Sequence, residues 1–439
     1  MPEDRPFDIA IFGATGFTGA YVALALARLL AEQHPCIPAS GRPLRVVLSG
    51  RSSARLQALQ DRLQAEVPGH ARERFSTSLA DVNDAASLAA LAASCTLLLN
   101  CVGPFSLYGE PVVAACVARC AHYLDITGEP AFMERMELQF GEEAAAKGLQ
   151  IVPCSAFDSI PADLGVAFAV EQLRARCGSA AETVTSFLSL RTGPAGFGGH
   201  FATLESAVRG FGSVAELQRT RRAYALRYPH LARVPLAGAP LRKRGAWFWT
   251  GAAWALPFMG SDASVVRRSQ RALHAARLAA DAQGRDAPLP QPVQYEAYFT
   301  VASTWSLCLT VLFGGALSLL APWAWGRRLL LAFPAVFSGG IFTHEGPTPA
   351  QLAETAFAME FTARGAGGAE VKCVVRGPEP GYVATPLLLL GAALTLLEEG
   401  GSSAAAHGLL TPATAFRGTG LISRLRQLGI EFECTSVSK

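Results

Sequence analysis

The chain has 439 residues, half of them hydrophobic and 17% charged, with a formal net charge of +3. That charge is too small to suggest nucleic acid as a partner. The charged share lies below the usual quarter, so a large core is easily built and contact with a membrane becomes a question, while the length exceeds one ordinary core and implies two domains.

The first element is an apolar strand ending in Gly13-Ala14-Thr15-Gly16-Phe17-Thr18-Gly19, and an Ala/Leu-rich segment of helical period follows. Strand, tight turn and helix in that order form the context in which a glycine triplet holds a dinucleotide. The glycines permit a sharp turn and close approach of a pyrophosphate, and the helix start offers free N–H groups. A second strand, Leu44 to Leu48, ends in Ser49-Gly50-Arg51-Ser52. An NAD site usually carries a carboxylate at this strand end, whereas none lies between Glu32 and Asp61. Arg51 suits a 2′-phosphate and Ser52 adds a hydroxyl, so NADP(H) is favoured over NAD(H).

A third strand precedes Asp81 and Val82, which would border the adenine. A fourth, Thr96 to Leu99, ends in Asn100-Cys101-Val102-Gly103-Pro104-Phe105, with Tyr108 just beyond. Ligands of open parallel sheets bind outside the carboxyl ends of strands, which places this turn beside the ribose and nicotinamide. The fifth strand, His122 to Ile126, leads to Thr127-Gly128-Glu129, and the sixth, Leu149 to Pro153, leads to Phe157-Asp158-Ser159-Ile160-Pro161. Alternating strands and helices predict an α/β, doubly wound parallel sheet of Rossmann type. The expected division is a nucleotide-binding domain over 1–155, completed by 405–439, and an α+β substrate or oligomerisation domain over 156–404.

The second half carries an apolar insertion over about residues 245–342. No charged residue occurs from Ala297 to Gly326, and all six tryptophans fall between Trp247 and Trp325. Arg242-Lys243-Arg244 stands just before them, as an anionic-lipid contact would. Pro322, Pro334 and paired glycines break any one long helix, so a hairpin dipping into one leaflet fits better than a span. A buried core or a homodimer interface is the competing use of this surface. The leucine run Leu387 to Leu390 reads as core. Ten cysteines are scattered without a disulfide framework, and no secretory signal precedes the first strand, which together suggest a reducing, intracellular setting. Cys116, Cys120 and His122 have metal-like spacing, but buried thiols are favoured and no metal is expected.

Gly13 to Gly19, Ser49 to Ser52, Asn100 to Phe105, Tyr123 to Glu129 and Phe157 to Gly165, with Glu345-Gly346-Pro347, Gly381 to Thr385 and Leu410 to Ala415, resemble the saccharopine dehydrogenase-like oxidoreductases, a family that includes trans-acting enoyl reductases. The chain departs from that pattern at Gly198-Gly199-His200 and in the apolar insertion. The resemblance implies a nicotinamide-binding fold, and by analogy with animal relatives a lipid-droplet surface; it leaves the substrate open. Reduction by a bound nicotinamide needs a proton donor. Tyr108 is the catalytic candidate, and Thr127, Glu129, Phe157, Asp158 and His200 are substrate candidates. Asp158 and Asp163 equally suit the start of the following helix. Three readings remain: an NADPH-dependent reductase of an enoyl or carbonyl group on a hydrophobic or lipid-linked substrate; an NADP(H)-binding membrane or lipid-droplet protein without turnover; and, more weakly, an amino-acid dehydrogenase, for which the needed arginine cluster is missing.

Overall fold

The computed structural model describes residues 5–38, 42–67, 74–241, 244–284, 289–400 and 406–438. Contacts divide the chain into two units. The first comprises residues 1–157, 381–410 and 415–429; the second comprises 158–380, 411–414 and 430–439.

In the first unit, strands β1 (Phe7–Phe12), β2 (Val46–Gly50), β3 (Phe75–Leu79), β4 (Cys95–Asn100), β5 (His122–Asp125) and β6 (Gln150–Val152) form one parallel sheet with the short strand Gly408–Leu409. The order is 408–409, β6, β5, β4, β1, β2, β3. Strands β1, β2 and β4 are largely apolar, and with β5 they are buried on both faces, as an all-parallel sheet requires. Helices α1 (Phe17–Ala31), α2 (Ser53–Glu66), α3 (Ala85–Ser94), α4 (Phe105–Ala118) and α5 (Pro130–Ala146) connect the strands. The chain runs outward from β1 through β2 to β3, then returns to β4 on the other side, so the switch of direction lies between β1 and β4.

The helix Thr385–Glu399 packs against α1, β4 and β5, with Leu388, Leu389 and Leu390 fully buried. Its leucines are core, as the sequence suggests. The division of the chain differs from the expected one. The return to the first unit begins at Gly381 rather than near 405, because this apolar helix covers the parallel sheet. The last strand, Glu431–Ser438, instead joins the sheet of the second unit.

In the second unit, β7 (Ala181–Arg191), β8 (Phe248–Trp249), β9 (Trp254–Pro257), β10 (Gln294–Val301), β11 (Ala356–Gly365), β12 (Glu370–Pro378) and β13 (Glu431–Ser438) form a mixed sheet in the order β13, β12, β11, β7, β10, β9, β8. Only the β7–β10 pair is parallel. The helix Ile160–Cys177 lies on β11, β12 and β13, and Gly165 lets the Phe361 ring come against its backbone. Strand β11 begins at Ala356. Before it, Pro349–Glu354 is a helix, opened by Thr348 and Gln351 in a capping box.

The uncharged stretch is not one helix. It leaves β10 and forms the helix Thr304–Leu320; Ala324–Ala332 and Pro334–Ser338 follow, separated at the prolines. Leu317, Ala321 and Leu330 pack with Leu204 and Val208 of the helix Phe201–Gly212. Among the described residues, one helix, Pro380–Glu399, is long and apolar enough to cross a membrane, and most of it is buried in the first unit.

Candidate functional site

The turn after β1 is held by backbone hydrogen bonds. Gly13 and Ala14 donate to the Ser49 carbonyl at 2.9 and 3.1 Å, and Gly16 donates to the Gly13 carbonyl at 2.9 Å. Gly13 has φ +80°, which a side chain disfavours, and a Cβ there would meet Val102 Cγ2 at 2.6 Å. A Cβ on Gly19 would collide with the Gly13 carbonyl, so α1 can approach β1 only without one. Gly16 caps α1 without a side-chain acceptor, and the first turn holds no acidic residue. The positive dipole end of α1 thus carries neither a side-chain cap nor an acidic residue, as an anion site requires. Thr15, Phe17 and Thr18 flank this turn, and Phe17 meets the Tyr382 ring edge to face at 4.9 Å.

The turn after β4 lies against the same glycines. Cys101 donates to the Phe12 carbonyl at 2.9 Å, which brings Cys101 and Val102 beside Gly13 at the switch between β1 and β4. Ligands bind at such a switch in open parallel sheets. Arg51 is exposed at the carboxyl end of β2, with Ser52 next to it. The Ser52 hydroxyl accepts the Arg55 N–H at 3.4 Å and so also caps α2. Asp81 and Val82 follow β3, where Asp81 accepts from the Asn83 N–H at 2.9 Å. Glycines without room for Cβ, an uncapped helix start and a cation at the second strand end together fit a phosphorylated dinucleotide.

Several candidates prove to hold the turn rather than face outward. Asn100 is fully buried; its Oδ1 accepts the Val102 N–H at 2.9 Å, and its amide donates to the Tyr123 hydroxyl at 3.1 Å. That hydroxyl donates to Asp125 Oδ2 at 2.7 Å, while Asp125 Oδ1 accepts from Thr127 N and Cys154 N at 3.0 and 2.8 Å. Burial pushes the Asp125 carboxyl up to about 7, against the hydrogen bonds that oppose it. Glu129 is buried, and its two oxygens accept the Phe105 and Ser106 N–H groups at 2.9 Å each. It is thus the N-terminal cap of α4, favoured by the helix dipole. The Thr127 hydroxyl accepts from Glu129 N at 3.2 Å. Hydrogen bonding accounts for Thr127 and Glu129 without a substrate. Gly103–Pro104 is a cis peptide bond at the entrance to α4. Tyr108, one turn into that helix, is exposed, and its ring is the nearest phenol in sequence to this turn.

In the second unit, Asp158 is exposed. Neither it nor Asp163 caps the next helix: Ser159 is the cap residue and makes no side-chain cap bond. Asp163 instead accepts from Ser269 Oγ at 2.6 Å and Ala413 N at 2.8 Å, because Asp163 is buried inside the helix start. Phe157 is half-buried at the end of the first unit's opening segment. His200 is half-buried and caps the helix Phe201–Gly212, its Nδ1 accepting the Ala202 N–H at 3.1 Å. Burial lowers its pKa, which suits an imidazole that must stay neutral at Nδ1.

The apolar helices have an unusual outer face. Trp305, Leu309, Leu312 and Leu319 share one stripe of the helix Thr304–Leu320, opposite its packed residues Leu307 and Leu317. Trp305 is 71%, Leu312 69% and Leu319 74% exposed. Trp323, Trp325, Phe333 and Val336, in the segments that follow, are also exposed. Arg328 is exposed among them, and Arg327 donates to the Ala321 carbonyl at 2.8 Å. Of the basic cluster before the tryptophans, Arg242 and Lys243 lie outside the described residues. Among the described residues, no group of three or more His, Cys, Asp or Glu is gathered as a metal site. His122 Nδ1 accepts the Gln150 N–H at 3.0 Å, and Cys116 is a buried thiol.

Residues 9–152 match the family described as the saccharopine dehydrogenase NADP binding domain. Over 456 aligned residues the chain is 38% identical to a saccharopine dehydrogenase-like oxidoreductase of Mus musculus, covering 100% of this chain and 99% of the other. It is 30% identical to a lipid droplet localized protein of Caenorhabditis elegans, covering 98% of each. Among solved structures it is similar to apo saccharopine dehydrogenase (L-Glu forming) of Saccharomyces cerevisiae, at 12% identity and a TM-score of 0.50 over 98% of this chain and 100% of that one, a likeness of fold.

Proposed function

The chain belongs to the saccharopine dehydrogenase-like oxidoreductase family and takes NADP(H) as its cofactor, and from that premise we propose that it reduces an enoyl or carbonyl group of a hydrophobic, lipid-linked substrate. The NADPH site is assigned to the Gly13–Gly19 turn, Arg51 and Ser52, the Asp81–Val82 turn and the Cys101–Pro104 turn. Bound NADPH supplies hydride. The first-turn N–H groups of α1 would hold the pyrophosphate, and Arg51 would pair with the 2′-phosphate. Asn100, Asp125 and Glu129 keep the Cys101–Pro104 turn in place, since each is committed to backbone N–H groups around it. Tyr108 is the assigned proton donor, a phenol exposed on the first turns of α4.

The single observation that carries the lipid part is the outward stripe of Trp305, Leu309, Leu312 and Leu319. Contiguous apolar patches of this kind mark interaction surfaces. Tryptophans with neighbouring arginines suit the boundary between headgroups and acyl chains, and helices that lie in that plane need no span. The name of the nematode relative favours the same surface. A lipid-resting reductase would receive long-chain substrates without their crossing water.

The test is NADPH oxidation by the full-length protein with long-chain enoyl and ketone lipids carried in phospholipid vesicles. Consumption of NADPH with stoichiometric reduced lipid is expected. Tight NADPH binding with no turnover on any such lipid would replace this reading with cofactor binding alone.

A further inference from the structure

Strand β13 is an edge strand, paired antiparallel with β12. In that pairing Cys373 and Cys434 are directly opposite. Directly opposed residues project on the same face with Cα atoms roughly 4.5–5.5 Å apart, within the span of roughly 4.4–6.8 Å that a disulfide bridges. Both thiols are free. The pairing shifts by one residue between Lys372 and Cys373. Thr435 is the extra residue, and its hydroxyl donates to the Lys372 carbonyl at 3.1 Å. Such a bulge re-aims the side chain next to it.

The two cysteines differ in access. Cys373 is 1% exposed, while Cys434 is half-exposed at the sheet edge. One accessible thiol beside a buried partner is the arrangement of a sensing and a resolving cysteine. We propose that Cys373 and Cys434 form a reversible cross-strand disulfide when the protein meets a hydroperoxide, tying the last strand to its sheet. The Cys434 sulfur attacks the terminal oxygen of the hydroperoxide; an S–O bond forms, the O–O bond breaks, and the thiol proton leaves with the alcohol. The Cys373 sulfur then attacks the sulfenic acid; the S–S bond forms, the S–O bond breaks, and its proton leaves with the hydroxyl as water. Two thiols are oxidised and one hydroperoxide is reduced to alcohol and water. Burial pushes the Cys373 thiol up to about 12, which leaves the more exposed Cys434 as the sulfur that meets the hydroperoxide.

Cys177 supplies the control. Its Sγ lies 3.7 Å from the Ser438 carbonyl on the same strand. The folded, full-length protein is treated with a small excess of hydrogen peroxide, alkylated and mapped by peptide mass spectrometry. A Cys373–Cys434 linked peptide is expected, absent in Cys434→Ser, retained in Cys177→Ser and lost on addition of dithiothreitol. Circular dichroism of each variant reports folding independently. Cys434 singly oxidised with Cys373 still a thiol, Cys434 joined to Cys177, or no reaction at either cysteine would overturn the proposal.

Discussion

Arg51 is a single charge on which the choice between two cofactors rests. A guanidinium beside a 2′-phosphate makes a charge-assisted bond that a 2′-hydroxyl cannot replace. Arg51→Ala is therefore expected to weaken NADPH by about 1–3 kcal/mol while moving NADH far less. Calorimetric titration with both cofactors checks this, and equal losses would place the phosphate elsewhere. Asp125 is a different kind of residue, buried and holding the turn after β4. Its carboxyl keeps its proton up to about pH 7 in the folded protein, against about 3.9 in an unfolded chain. A raised carboxyl contributes stability that is fullest below the unfolded value and is lost as pH rises through the folded one. Asp163, raised by burial to about 6, acts in the same direction. Urea midpoints are thus expected to fall as pH rises from about 4 to about 7, with Asp163 contributing only up to about pH 6. Asp125→Asn should flatten part of that fall; an unchanged slope would show that the group does not titrate there.

Elements were legible where one physical requirement dominates. The glycine turn and α1 could be read because Gly13 and Gly19 each answer a steric demand that no other residue meets. The buried strands β1, β2 and β4 show as plain apolar runs. The roles of Glu129 and Asn100 were not legible, since a carboxylate at a strand end has the same sequence signature whether it faces a ligand or caps a neighbouring helix. Only the approach of β5 to α4 decides between them. His200 and Asp163 are similar, each taken up by a backbone N–H group, that of Ala202 two residues on for His200 and that of the distant Ala413 for Asp163. The facing pair Cys373 and Cys434 depends on strand register across a bulge, which spacing does not reveal. The uncharged stretch was legible as broken, from Pro322 and Pro334. Which of its faces is exposed required the packing against Leu204 and Val208. Replacing Trp305, Leu312 and Trp323 together by serine removes exposed surface without touching that packed face. Vesicle sedimentation of the triple variant is expected to drop at least about tenfold, consistent with about 1.5–3 kcal/mol for each large side chain left in water. NADPH affinity should stay the same; undiminished vesicle binding would remove the lipid-surface assignment.

At the scale of the whole molecule, the chain crosses between its two units more often than its linear order suggests. The helix Thr385–Glu399 completes the parallel-sheet unit, and the last strand completes the other. The sequence supports both roles, through a leucine-rich helix and an alternating strand, but which sheet each one covers is a tertiary outcome. In the account developed above, one unit holds the reductant and the other carries an apolar surface suited to a lipid boundary. The most direct measurement compares the rate of NADPH oxidation on a long-chain enoyl or ketone lipid in vesicles with that on its short-chain, water-soluble counterpart. Faster turnover of the vesicle-borne lipid, with NADPH preferred to NADH, is the predicted result. Turnover confined to the soluble counterpart, or no turnover of either while NADPH binds, would contradict it.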